Sequence, residues 1–195
     1  MEQKIQWSEN VIIVDGDFID RVAFDLIVNF ERMIGRRIPQ ADMARWLECM
    51  ALDGGVREGT DQHTQAIFIH EEKNSQLENF KPGDYAADLH LKAFTGKLGE
   101  ISIDSYALPT ATNRTEYIID VLGMLLKAPE VKRIMLAADD DTTARAGDAL
   151  RYADDDKRIT LFAMQPLRGG NYRSEILGYS LMSALGIRAD EIPAE

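Results

Sequence analysis

Two acidic runs, far apart along the chain, each follow a short apolar run. Val11-Ile12-Ile13-Val14 ends in Asp15-Gly16-Asp17, and Ile134-Met135-Leu136 leads through two alanines into Asp139-Asp140-Asp141. A continuous aliphatic run of this kind is expected to form a buried strand, so each acidic run marks the carboxyl end of one. In an open parallel sheet, ligands bind outside those ends. If the two strands are neighbours, their carboxylates converge, repel one another, and stay ionised at low cost only around a divalent cation. Oxygen ligands with open water positions favour magnesium or manganese over zinc. A purely local reading stands beside this one. Aspartate is a good loop and helix-cap residue, and Asp140 and Asp141 could serve only to start a helix at Thr142. A third acidic run, Asp154-Asp155-Asp156, precedes its strand. It is expected at the opposite edge of the sheet, as a solvated turn.

The elements that must position these acids alternate. After the first strand, Ile19, Val22, Ala23, Leu26, Ile27, Phe30, Met33 and Ile34 share the face of one helix, closed by Gly35 with Arg36 and Arg37. A second helix after Pro39 carries Met43, Trp46, Leu47 and Met50 and stops at Asp53-Gly54-Gly55. Ala66–Ile69 and Ile101–Ser105 read as strands, and Thr112 or Asn113 caps a helix built on Tyr117, Ile118, Val121, Leu122, Leu125 and Leu126. Ile134–Leu136, a helix with Ala144, Ala149 and Leu150, and the strand Ile159–Met164 follow. The loop Pro166–Arg173 then leads into a last helix with Ile176, Leu177, Leu181 and Leu185, capped by Gly186. Residues 74–99 carry no clear period, and Leu89, Leu91 and Ala93 fit an edge strand or a short helix equally. The pattern predicts a single α/β domain with a core over about 11–187, its mainly parallel sheet flanked by helices on both faces in a Rossmann-like three-layer sandwich.

Composition sets limits on function. The 195 residues hold 33 Asp and Glu against 22 Lys and Arg, a formal charge of −11. That balance excludes a generally basic nucleic-acid binder, so RNA would need metal ions or a local basic rim. One cysteine, Cys49, excludes an internal disulfide. The polar start Met1–Asn10 does not resemble a secretory signal, and no apolar run is long enough to span a membrane. The expected location is the cytoplasm. His63, His70 and His90 lack metal-ligand spacing, and no glycine pattern matches a nucleotide loop. The loop Arg168-Gly169-Gly170-Asn171-Tyr172-Arg173 is the one candidate phosphate site: Arg168, Gly169, Gly170 and Arg173 could receive an anion at a helix start. An ordinary turn with surface ion pairs is the simpler reading of it.

The order of elements and the acidic strand ends together resemble the NYN branch of the PIN-like nuclease fold over most of Val11–Ile187. Val14-Asp15-Gly16-Asp17-Phe18 is similar to that family's first motif, and Ala137-Ala138-Asp139-Asp140-Asp141-Thr142 is similar to its last. Glu116 and Asp120, at i and i+4 on one helix face, each offer a third carboxylate. The resemblance implies a magnesium- or manganese-dependent ribonuclease with its chemistry on Asp15, Asp139, Asp141 and one of Glu116 or Asp120. Asp17 would join these as a metal ligand. The chain departs from the family where Ala137 and Thr142 replace a serine and a phenylalanine, and where a lysine near the third carboxylate is missing. Two other functions fit the same residues. A binding or interaction module of this fold, with a protein partner or a second copy of itself, would have lost the chemistry. Alternatively, the Asp-x-Asp form of Asp15 and Asp17 is that of a haloacid-dehalogenase-like phosphatase, with Asp15 attacking phosphorus.

Overall fold

A computed structural model describes residues 6–59, 61–151, 153 and 156–194. Seven strands form one sheet in the order β5-β6-β3-β1-β7-β8-β9. These are β1 (Asn10–Asp15), β3 (His63–Glu71), β5 (Lys92–Gly96), β6 (Gly99–Leu108), β7 (Arg133–Ala137), β8 (Arg158–Ala163) and β9 (Arg173–Ile176). All neighbours are parallel except β5, which pairs antiparallel with β6. Two-residue strands β2 (Ala41–Asp42) and β4 (Phe80–Lys81) pair separately.

The helices are α1 (Gly16–Ile34), α2 (Met43–Asp53), α3 (Arg114–Lys127), α4 (Asp140–Leu150) and α5 (Leu177–Ala184). Strand alternation splits the core in two. Ile12 and Val14 of β1 lie in one cluster with residues of α1, α2 and α5, while Val11 and Ile13 lie in the other with residues of α3 and α4. The α/β class with helices on both faces is therefore present. No helix among the described residues is long and apolar enough to cross a membrane.

Capping explains why the helices begin where they do. Asp15, Asp42, Asn113 and Asp139 each accept the backbone N–H three residues on, from Phe18, Arg45, Glu116 and Thr142. Gly35 ends α1 at φ 72°, the left-handed cap its position predicts. On the side of α2, Trp46 is fully buried, packs edge-on to Phe80 at 5.4 Å, and donates its indole N–H to Ser180 Oγ at 3.2 Å.

One expectation needs correction. The chain after Pro166 does not pass straight into a helix, because Arg173–Ile176 pairs with β8 and the helix begins only at Leu177. This strand is short and half-exposed, so it lacks the apolar run that reveals a central strand. The segment 74–99 holds both alternatives in turn: a π-helical stretch at Tyr85–Leu89, then edge strand β5. Of the third acidic run, Asp156 is exposed, and Asp154 and Asp155 lie outside the described residues.

Candidate functional site

The chain lays β1, β3 and β6 outward on one side, then returns through α3 to start β7 directly beside β1. That reversal is the topological switch point, where open α/β sheets bind ligands. The two acid-tipped strands are thus neighbours, with Val14 opposite Ala137 and the acids following at one edge. The starts of α1, α3 and α4 meet there. Thr115 of α3 and Thr142 of α4 lie hydroxyl to hydroxyl at 2.9 Å and fasten two of them together.

Asp15 is fully buried. Burial pushes its carboxyl up to about 6, with neighbouring Asp139 and Asp17 adding to the rise; Arg114 and the Phe18 N–H act against it. Its Oδ1 caps α1, while Oδ2 stands 3.1 Å from Arg114 Nε without hydrogen-bond alignment. Asp17 is fully engaged: Oδ2 accepts from the Glu71 N–H at 2.8 Å and Arg114 Nη1 at 2.9 Å, and Oδ1 accepts from Asn74 Nδ2 at 2.8 Å. Glu71, at the end of β3, brings a third carboxylate 3.7 Å from Arg114 Nη1. One guanidinium therefore faces three carboxylates.

Arg114 is the first residue of α3, where the helix dipole disfavours a cation. A local rule broken in this way marks a side chain held for its tertiary contacts. Sequence reading missed Arg114, although its place after the Asn113 cap is the available signal. It also missed Glu71, which follows an apolar strand run as Asp15 does and could have been found by the same logic.

The other expected residues fare differently. Asp139 joins the hollow as the α4 cap, so Asp140 and Asp141 are not the cap, and Asp141 is exposed. Glu116 and Asp120 are both exposed on α3, because the inward face of that helix is taken by Ile118, Val121, Leu122 and Leu125. The structure gathers Asp15, Asp17, Asp139 and Glu71, and leaves out Glu116, Asp120 and Asp141. As arranged around Arg114, the carboxylates leave few oxygens open to a divalent cation. Most carboxylate oxygens in the hollow already accept N–H groups or face Arg114, and no group of three or more His, Cys, Asp or Glu among the described residues is placed to hold a metal. Arg168, Gly169, Gly170 and Arg173 do not gather at a helix start. Gly170 bridges to Tyr172, whose hydroxyl donates to Arg168 O, and Arg173 opens β9 at the opposite edge of the sheet.

Two cavities flank Tyr85 beside the hollow. The larger, about 630 Å³, runs from Gly16 and Asp17 past Asp20 and Phe24 to the loop Lys73–Asn79. The smaller, about 310 Å³, lies against His70 and His90. Tyr85 stacks on buried His70 with ring centres 3.6 Å apart, and His70 Nδ1–H donates to the Glu71 carbonyl at 2.9 Å. The Tyr85 hydroxyl is buried against Gly16 and has no hydrogen-bond partner among the described residues, and its acidity is suppressed by burial and by the carboxylates of Asp17, Asp20 and Asp15.

No curated protein and no solved structure matches this sequence. A family model does match, over residues 4–192, and on that span the chain belongs to DUF6621, a family of unknown function.

Proposed function

We propose that this chain is a small-molecule binding module of PIN/NYN-like build in which an arginine stands where a nuclease of that build would hold its metal. The observation that carries this reading is the placement of Arg114 Nε and Nη1 at 3.1 and 2.9 Å from Asp15 and Asp17. A guanidinium neutralises converging carboxylates as a divalent cation does, but it offers no open coordination position. The recognition surface is then the 630 Å³ cavity, where the amide oxygens of Asn74, Gln76 and Asn79, whose NH2 groups are engaged with Asp17, Glu78 and Asp20, and the aromatic rings of Phe24 and Tyr85 suit a compact hydrogen-bonding ligand. Asp17, Asp20 and Glu78 outnumber Arg21 and Lys73 on its walls, and that balance disfavours a phosphodiester chain. The lone cysteine agrees with a cytoplasmic setting.

A metal-dependent ribonuclease is the second reading. It is favoured by the electrostatic coupling of Asp15 to Asp139 and Asp17 across the strand ends. The phosphatase reading has less support, since a fully buried Asp15 offers no line of attack on phosphorus.

The test pairs RNA cleavage with thermal denaturation. The binding-module reading expects no cleavage of labelled RNA with magnesium or manganese and no metal-dependent change in Tm. It also expects stabilisation by one or more compounds from a panel of polar metabolites, lost on Asn74→Ala. Manganese-dependent cleavage abolished by Asp15→Asn would overturn it in favour of the nuclease, and a panel that stabilises nothing would count against it.

A further inference from the structure

The opposite edge of the sheet carries an arrangement of charge that folding alone does not call for. β7, β8 and β9 open on Arg133, Arg158 and Arg173. Arg133 and Arg158 are direct partners in the ladder, a like-charge juxtaposition that costs stability. Arg133 and Arg173 also converge: their Nη1 atoms lie 2.7 and 3.7 Å from the point where a Cβ on Gly55 would sit. Gly55 has φ 92° and no side chain, so it leaves that point open.

Local chemistry accounts for only part of this. Arg133 Nη1 donates to Gly54 O at 2.9 Å, at the end of α2, where the helix dipole welcomes one cation. Lys157 is used up on the carbonyls of Ala128 and Val131. Arg173 shares Glu175 at 3.1 Å, and Glu9 and Asp53 lie within electrostatic reach. Arg133 Nε, however, is buried without a partner, and neither Arg133 nor Arg158 forms an ion pair with a carboxylate among the described residues. Burial first, and then the nearby Arg158, Arg173 and Arg57, hold the Arg133 guanidinium below its ordinary value. Between these groups is a cavity of about 210 Å³, also bounded by Thr160, Asn171 and Tyr172.

We propose that this hollow, formed by Arg133, Arg158 and Arg173 beside Gly54, binds a phosphate group, either free or on a small phosphomonoester. Planar guanidiniums supply paired N–H donors that match phosphate oxygens. This is not the helix-start site expected at Arg168, Gly169, Gly170 and Arg173: of those four it uses only Arg173, with Asn171 and Tyr172 of the same loop on its wall and the starts of three strands supplying the arginines. It is also independent of the Arg114 hollow, being a strand's length away, about 17 Å along β1 at about 3.3 Å per residue.

The test is titration of the full chain with inorganic phosphate and with glycerol 3-phosphate, each against sodium chloride of equal ionic strength, followed by calorimetry. Saturable binding is expected, weakened about tenfold or more by Arg158→Gln and by Arg173→Gln. Both side chains are exposed, and circular dichroism verifies that each variant remains folded. Tighter binding of the ester identifies a phosphorylated small molecule, and equal binding identifies the free ion. Absence of saturable binding by either probe, or wild-type affinity in both folded variants, overturns the proposal.

Discussion

Replacing Arg114 by glutamine should cost stability in a strongly pH-dependent way. In the native protein Asp15 has a carboxyl pushed up to about 6 against 3.8 for the free side chain. The folded state therefore holds the proton more tightly than the unfolded one. Its contribution to stability is complete below about pH 4 and is lost as pH rises through 6, at about 1.4 kcal/mol per unit or about 3 kcal/mol in all. Arg114 is a group that lowers this pKa, so Arg114→Gln moves it further up and prolongs the loss above pH 6. Removing one partner of a buried ion pair costs roughly 3–5 kcal/mol where the other must stay charged. At pH 5 Asp15 is mostly protonated in both proteins, and only the weaker contacts to the part-exposed Asp17 and Glu71 are lost, worth about 0–1 kcal/mol each. Urea unfolding of both proteins at pH 5 and pH 8 should therefore give a ΔΔG about 2–3 kcal/mol larger at pH 8. Equal values at the two pH values would mean that Arg114 does not hold the charge of Asp15.

Two further outcomes follow from buried groups. Tyr85→Phe removes a buried hydroxyl that has no partner while keeping the ring stacked on His70, and should stabilise the protein by about 1 kcal/mol in thermal unfolding; a loss of stability would show that the hydroxyl has a partner in solution. Ser180→Ala leaves the indole N–H of fully buried Trp46 without an acceptor and should cost about 1–3 kcal/mol in urea unfolding. Trp46→Phe in the same background should remove the dependence on Ser180, and a cost for Ser180→Ala that persists there would refute the role given to that bond.

Legibility in the sequence followed burial. Val11–Val14 and Ile134–Leu136 read as buried strands, and Ile159–Met164 as a strand, because their faces are covered by apolar neighbours, and the structure places β1, β7 and β8 there, β8 ending at Ala163. β9 escaped notice because an edge strand with exposed Arg173 and Ser174 carries no such run. The adjacency of the acidic tips could be argued from the general behaviour of open sheets. Their counter-charge could not, because Arg114 reaches Asp17 from 97 positions away and only tertiary structure joins them. Glu116 and Asp120 show the limit of periodicity. Their spacing does place them on one helix face, but it does not say whether that face meets the site or the solvent, and here both are exposed.

Asp15 and Asp139 serve the hollow and fasten the first turns of α1 and α4 with the same carboxylates. Natural variation has little freedom at such positions, since a change that suits a new ligand also loosens a helix. If the chain is the binding module proposed above, divergence in ligand choice within the family is expected to collect in the stretch Lys73–Asn79, which walls the larger cavity while starting no helix. The strand tips would then act as a fixed chassis, and a neighbouring loop as the interchangeable part.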